Sequence, residues 1–255
     1  MKNAIYNTLL EEKNYHIKGR LYHYTQVNMA YNTNRIEGSQ LSEDQTRSIF
    51  ETKTLVSEGE QPIHTDDIIE TKNHFKAFDY MLDVAKQPLT EEIIKTFHRY
   101  IKQGTSQEEL SWFQVGDYKT KQNTIGSFVK TTNPKDVPIA MQDLLSKYHC
   151  EQKKGLEDLI DFHYQFEKIH PFQDGNGRVG RLILFKECLN HGIVPFVIDE
   201  KHELFYKRGL KEYLEEPGYL IDTCLSCQDK YKLICNTFEV PYESHEIEQE
   251  KTLEL

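Results

Sequence analysis

Residues 156–192 read LEDLIDFHYQFEKI (156–169), HPFQDGNGR (170–178) and VGRLILFKECLNHG (179–192), and this run sets the architecture of the chain. The first segment repeats apolar residues at helical spacing, which predicts a helix with one face toward a core: Leu156, Leu159, Ile160, His163, Phe166 and Ile169. Pro171 ends this helix, because the residue before a proline is pushed out of helical geometry. A second core helix over 177–190 stops at Gly192. The loop 170–178 is therefore predicted to be held between two core helices.

The rest of the pattern predicts a mainly α-helical chain with one short β-hairpin. Further helices are expected at about 21–37, 66–85, 90–103 and 136–150. Gly38 closes the first of these, and Ser42 with Gln45 forms a capping box that starts another helix. The segment YKTKQNTIGSFVKTTN (118–133) is rich in Thr, Val, Ile and Phe around a Gly-Ser pair. That composition predicts a hairpin projecting from the helical body.

Length and charge bound the class of protein. The 255 residues suffice for one sizeable core, and we expect one compact unit with an N-terminal helical region (1–65), a central core (66–215) and a C-terminal helical extension and tail (216–255). A formal net charge of −10 argues against nucleic acid as the principal partner. No apolar run is long enough to span a membrane, and the N-terminus becomes charged too early for a signal peptide. Five cysteines at irregular positions favour a reducing compartment, so the cytoplasm is the expected location.

The run DGNGR is suited to holding an anion. Gly175 and Gly177 allow backbone conformations closed to other residues, at the start of a helix whose first N–H groups have no internal partners. Such groups bind phosphate. Asn176 adds a side-chain donor, and Arg178 and Arg181 place two cations on one helix face.

Two further residues give this loop a chemistry. Asp174 would repel an anion unless it holds a divalent cation bridging to phosphate, for which Mg²⁺ is the usual choice. His170, at the mouth of the loop, can accept the proton of an attacking hydroxyl. Together they indicate group transfer from a Mg²⁺-nucleotide to a hydroxyl. Each residue alone also fits a structural role: His170 as a capped core histidine, Asp174 in an Asx-turn and Gly-Asn-Gly as a tight turn.

The run HPFQDGNGRVGR resembles the signature of the Fic domain family, His-Pro-Phe-x-(Asp/Glu)-Gly-Asn-(Gly/Lys)-Arg-x-x-Arg, and the resemblance extends over about residues 30–215. It implies a helical fold with transfer of AMP from ATP to Ser, Thr or Tyr hydroxyls of proteins. By position, His170 would be the base, Asp174 the Mg²⁺ ligand, and Gly175 to Gly177 the anion hole. Asn176, Arg178 and Arg181 would contact phosphates, and Phe172 would anchor the loop.

The hairpin at about 121–130 resembles the family's flap, where a target protein would add a strand by main-chain hydrogen bonds. Nucleotide contacts are expected at Ile125, Gly126, Ser127 and Phe128. Doc-like kinases, which resemble this signature, carry lysine where Gly177 stands, so glycine favours nucleotidyl over phosphate transfer. UMP and phosphocholine donors stay open, as does self-association into a homo-oligomer.

The run TNRIEG (33–38) resembles the inhibitory motif (Ser/Thr)-x-x-x-Glu-(Gly/Asn) of Fic proteins whose inhibitory helix is N-terminal. Glu37 could pair with Arg181, which the γ-phosphate of ATP needs, and Thr33 is the motif's first residue. The alternative is that Glu37 merely ends a helix. In some relatives the same glutamate helps water remove AMP, so a de-AMPylating hydrolase is a second reading. A non-catalytic nucleotide-binding module is a third.

Several positions depart from the family pattern. Lys119 stands where many relatives have arginine. Tyr206 is expected to stack on the base, but Leu214 replaces an asparagine that often lines the adenine pocket. Cys224 and Cys227 suggest zinc or redox chemistry, yet no second pair follows, and buried thiols are the plainer reading. His163 is expected to be a core histidine.

Overall fold

The computed structural model describes residues 3–55, 62–125 and 129–242. Within these residues the chain is mainly helical, as the sequence predicts. The ten α-helices are α1 (Ala4–Asn14), α2 (Leu21–Ile36), α3 (Glu43–Glu51), α4 (Thr65–Val84), α5 (Glu91–Lys102), α6 (Val137–His149), α7 (Leu156–Ile169), α8 (Asn176–His191), α9 (Glu203–Glu212) and α10 (Gly218–Thr237). Two short 3₁₀ helices cover Ser106–Glu109 and Glu200–His202. The bounds of α1, α9 and α10 were not predicted.

Helix α8 is the centre of the molecule. Every residue from Asn176 to Leu189 is buried, and α8 packs against α2, α4, α5 and α7. A helix buried on all sides belongs to a core, and its polar residues need partners there. Lys186 meets this need by donating to Glu187 at 2.5 Å and to the carbonyl of Gln87 at 2.7 Å.

The connection from α7 to α8 confirms the predicted loop between two core helices. α7 ends at Ile169, and His170 takes up a left-handed backbone with φ of 52°. Phe172 is fully buried, so the loop is anchored in the core at the third residue after the helix. α8 closes at Gly192, whose φ of 72° is the left-handed conformation that favours glycine.

Helix α2 brings the N-terminal region to the same place. α2 packs against α4 and α8, and its C-terminus is closed by Gly38 with φ of 101°. The predicted capping box follows, with the Gln45 amide donating to Ser42 Oγ at 3.1 Å and the Ser42 amide donating to Gln45 Oε1 at 3.0 Å. These two caps fix the direction in which the chain leaves α2.

One hydrophobic cluster draws on buried residues from Ile5 to Val240. The three-region division at 65 and 215 stays a prediction.

Two short strands, β1 (Thr124–Ile125) and β2 (Val129–Lys130), pair antiparallel. Residues 126–128 between them lie outside the described residues, so the flap hairpin also stays a prediction. Among the helices that the structure describes, none combines the length and apolarity needed to cross a bilayer.

Candidate active site

The loop between α7 and α8 is braced by its own asparagine. Asn176 is 1% exposed, and its Oδ1 accepts from the Phe172 amide at 2.8 Å while its Nδ2 donates to the Phe172 carbonyl at 2.9 Å. This reciprocal pair closes the loop over five residues. The expected contact of Asn176 with phosphate stays a prediction, because the observed contacts of its side chain are with the backbone.

His98 on α5 supports the loop from below, and sequence reasoning missed it. Its ring stacks on Phe172 with centroids 4.0 Å apart and planes within 1°. Its Nδ1 accepts from the Gly116 amide at 2.9 Å, so its Nε2 carries the proton and donates to the Asp174 carbonyl at 3.1 Å. Burial, then the cation of Lys102, lowers the pKa of His98 to about 3, which keeps this tautomer neutral. The only sequence signal was a histidine on the apolar face of a predicted helix.

His170 carries a neutral imidazole at the mouth of the loop. Its Nδ1 lies 3.3 Å from the carbonyl of Glu167, a contact that assigns the proton to Nδ1 and leaves the lone pair on Nε2. Nε2 contacts no partner among the described residues, and the side chain is 19% exposed. Burial, then the cation of Lys119, lowers the pKa of His170 to about 4. The imidazole is therefore unprotonated near neutral pH and free to accept a proton.

The start of α8 leaves main-chain donors free. The amides of Asn176, Gly177 and Arg178 donate to no carbonyl or side chain in the described part of the chain, since the first capping bond is that of Val179 to Gly175 at 3.1 Å. Unpaired N–H groups at a helix N-terminus attract anions. The guanidinium groups of Arg178 and Arg181, 3% and 5% exposed, add fixed positive charge to the same end of α8.

Glu37 occupies this positive region. Its Oε1 accepts from Arg181 Nη2 at 2.6 Å, and Arg181 Nε donates to Thr33 Oγ1 at 2.6 Å. A Cβ atom at Gly177 would overlap the Glu37 carboxylate, so that carboxylate lies directly against the glycine backbone. Burial raises the pKa of Glu37, but the cations of Arg181 and Arg178 outweigh it and hold the pKa below its ordinary value. The structure thus brings Thr33, Glu37, Gly177 and Arg181 together.

Asp174 belongs to a cluster of four charges that the sequence did not suggest. Its Oδ2 lies 2.8 Å from Lys102 Nζ and 3.3 Å from Arg178 Nη2. Glu70 on α4 completes the ring: Oε1 lies 2.5 Å from Lys102 Nζ, and Oε2 pairs with Arg178 Nη1. Burial raises the pKa of Asp174, but Arg178 and Lys102 outweigh it, so the pKa is held well below its usual range.

The remaining oxygen of Asp174, Oδ1, contacts no side chain among the described residues. The carboxylate is 38% exposed and stands beside the free amides of α8. One carboxylate oxygen next to a phosphate site is a donor set that fits Mg²⁺, which completes its shell with phosphate oxygens and water. The described residues hold no group of three or more His, Cys, Asp or Glu arranged around a metal position.

Tyr206 lies behind the arginines. It is 2% exposed, its hydroxyl lies 2.7 Å from His163 Nε2, and its ring centroid is 5.9 Å from Arg181 Cζ. His163 is 2% exposed, in line with the expected core histidine. Stacking of Tyr206 on an adenine stays a prediction, since here its ring is part of the core. Leu214 is 70% exposed.

Lys119 ties the strand region to the loop. Its amide donates to the Pro171 carbonyl at 2.9 Å, and its Nζ donates to Thr131 Oγ1 at 2.6 Å and Asn123 Oδ1 at 2.8 Å. Asn123 in turn donates to the Phe172 carbonyl at 3.0 Å. Burial lowers the pKa of Lys119 to about 8. The compact ammonium group of Lys119 is thereby held close to His170, at a position where many relatives are expected to have arginine.

The other sequence-based candidates fall elsewhere. Gly126, Ser127 and Phe128 and the side chain of Ile125 lie outside the described residues, so their nucleotide contacts stay predictions. Cys224 and Cys227 are buried free thiols on α10. Burial raises the pKa of Cys227 to about 12, which makes this thiol unreactive.

Comparison with known proteins agrees with this geometry. The model of the Fic/DOC family matches residues 88–187, which include α5 and the whole loop. The chain is 29% identical over 184 residues to the protein adenylyltransferase Fic of Drosophila ananassae, covering 71% of this chain and 35% of that protein. It is 26% identical over 194 residues to the protein of the same name from Nematostella vectensis, covering 74% of this chain and 42% of that protein. The chain thus spans about a third to two fifths of the length of these curated relatives.

Solved structures give the same fold. A Fic domain containing signaling protein from Bacteroides thetaiotaomicron superposes with a TM-score of 0.73 at 20% identity, covering 96% of this chain and all of that one. Fic-1 from C. elegans superposes with a TM-score of 0.68 at 19% identity, covering 92% of this chain and 70% of that one. At such identities the likeness establishes the fold.

Proposed function

We propose that the chain is a protein adenylyltransferase of the Fic type, which moves AMP from ATP to a hydroxyl of a target protein, and the match of residues 88–187 to the Fic/DOC family supports this proposal. The observation that carries this proposal is the pairing of a neutral, partly exposed His170 with a helix N-terminus whose amides and arginines are set for phosphate. The names of the curated relatives support the same reaction.

The reaction assigns each group a task. The target hydroxyl oxygen attacks the α-phosphorus of ATP, the bond to the β-phosphate breaks, and pyrophosphate leaves. Nε2 of His170 takes the hydroxyl proton, while Nδ1 stays bound to the Glu167 carbonyl and holds the ring in place. The amides of Gly177 and Arg178 and the guanidinium of Arg178 stabilise the negative charge that develops on the phosphates.

Asp174 would hold Mg²⁺ through Oδ1, the oxygen that contacts no side chain, and the ion would supply positive charge for the phosphates. His98 donates to the Asp174 carbonyl and so fixes the backbone of the residue that would hold the ion. The target would dock beside β1 and β2, where a strand of the target could pair with an edge of the hairpin. This docking would bring its hydroxyl to His170.

Glu37 would restrain this activity. Its carboxylate takes a donor of Arg181 and lies against Gly177, so it competes with the γ-phosphate of ATP for one positive region. The Glu37 side chain is 29% exposed and sits at the last turn of α2, so a small movement of that turn would release it. ATP would then bind with its phosphates extended over the start of α8.

Incubation with ATP labelled on the α-phosphate tests the proposal. Label that becomes bound to protein in the Glu37→Gly variant, with a mass increase of one AMP, supports an adenylyltransferase. Release of AMP from modified protein indicates the hydrolase instead. Label that stays free, or a mass increase from another donor, contradicts AMP transfer.

A further inference from the structure

Lys102 is a buried cation placed at the proposed metal ligand. It is 1% exposed, and its ammonium group lies between Asp174 Oδ2 at 2.8 Å and Glu70 Oε1 at 2.5 Å. A lysine is rarely buried without compensation, because its charge loses hydration. Two carboxylates compensate it here, and one of them faces the nucleotide site.

The four charges cancel. Lys102 and Arg178 contribute two positive charges, and Glu70 and Asp174 contribute two negative charges. Asp174 alone would attract a free divalent cation, but its charge is already offset by two cations that contact one of its oxygens. A free metal ion therefore finds a ligand in Asp174, but the cluster as a whole has no net negative charge to attract the ion.

We infer that Lys102 and Glu70 set the metal affinity of Asp174 in opposite directions, so that Mg²⁺ enters this site together with the nucleotide phosphates and not as a free ion. This inference rests on the proposed function only for the identity of the ligand. Lys102 weakens metal binding by offsetting Asp174, and Glu70 strengthens it by offsetting Lys102 and Arg178. Lys102 and Glu70 are thus positioning residues that act through Asp174.

The test uses two substitutions that remove opposite charges. In Lys102→Met the cluster becomes net negative, and we expect MgCl₂ alone, without nucleotide, to raise the melting temperature, with half-saturation at least about tenfold below that of the wild type. In Glu70→Gln the cluster becomes net positive. Calorimetry then gives the Kd of a non-hydrolysable ATP analogue in the absence and in the presence of Mg²⁺. Because Mg²⁺ should strengthen binding of the analogue less than in the wild type, the ratio of the first Kd to the second should fall by about tenfold.

Lys186→Met is the matched control, because it removes another buried lysine from a glutamate partner further along α8. It should lower stability without creating a response to Mg²⁺. If the role of Lys102 is purely structural, Lys102→Met should also lower stability without creating a response to Mg²⁺. That result would overturn the inference. An unchanged or larger ratio in Glu70→Gln would overturn it as well, and this measurement decides if Lys102→Met does not fold. Neither readout requires transfer of AMP, so failure of the proposed function is seen separately with labelled ATP.

Discussion

The guanidinium of Arg181 donates to the Glu37 carboxylate at 2.6 Å and joins α8 to the last turn of α2. The same guanidinium donates to the side chain and the carbonyl of Thr33. Three donor contacts with one turn of α2 make the position of Arg181 depend on that turn. A movement of α2 therefore changes both the charge and the space available at Gly177.

Replacing Glu37 with glycine should raise the rate of AMP transfer to protein by at least about tenfold, since loss of a contact of about 1.4 kcal/mol changes an equilibrium tenfold. The physical reason is that Arg181 and the Gly177 backbone become free for the γ-phosphate. Incorporation of α-labelled phosphate measures the rate. Glu215→Gly, at an exposed turn position, is the control and should match the wild type. Equal rates for Glu37→Gly and wild type would remove the inhibitory role of Glu37.

Replacing His170 with alanine should lower transfer by at least about a hundredfold, the usual contribution of a general base. Binding of ATP should change little, because the ring lies outside the amides and arginines that would hold phosphate. Label incorporation and calorimetric binding of a non-hydrolysable analogue separate the two effects. His64→Ala, at an exposed position before α4, serves as the control. Retained transfer in His170→Ala would exclude His170 as the base.

The sequence predicted the loop well because its determinants are local. Pro171 and Gly192 set the ends of two helices, and the order of residues in 170–181 places the charges. The sequence did not predict Glu70, Lys102 or His98, because their roles depend on contacts with Asp174 and Arg178. Those two residues lie 72 to 108 positions later in the chain. Lys102 and Glu70 are ordinary helix residues until packing sets them beside Asp174.

Substitution of His98 tests how strongly the rate of AMP transfer depends on the position of the loop that His98 supports. His98→Phe keeps an aromatic ring on Phe172 but removes the hydrogen bonds with Gly116 and the Asp174 carbonyl. We expect kcat to fall by about 10- to 100-fold, because small displacements of a catalytic group have large effects. Steady-state kinetics with varied Mg²⁺-ATP measures kcat and KM. A change confined to stability, with kcat intact, would show that the stack alone suffices.

His74 on α4 makes acid sensitivity measurable. It is fully buried, and both ring nitrogens lack a hydrogen-bond partner among the described residues. Burial, then the cations of Arg181 and Arg178, lowers its pKa to about 3 from an ordinary 6.5. The unfolded chain therefore binds more protons at this residue between those values. Relative to neutral pH, the folded state therefore loses stability at this residue as the pH falls from 6.5 toward 3.

His74→Leu should therefore reduce the dependence of unfolding free energy on pH by about 1.4 kcal/mol per pH unit between pH 6 and 4. Stability at pH 7 should stay the same or rise, because an unsatisfied polar ring leaves the core. Urea unfolding at a series of pH values measures both quantities. His64→Leu makes the same replacement at an exposed position and should leave the slope close to that of the wild type. If His74→Leu keeps the wild-type slope, the acid sensitivity arises at other groups, among which His98 and His163 have pKa values lowered to about 3 in the same way.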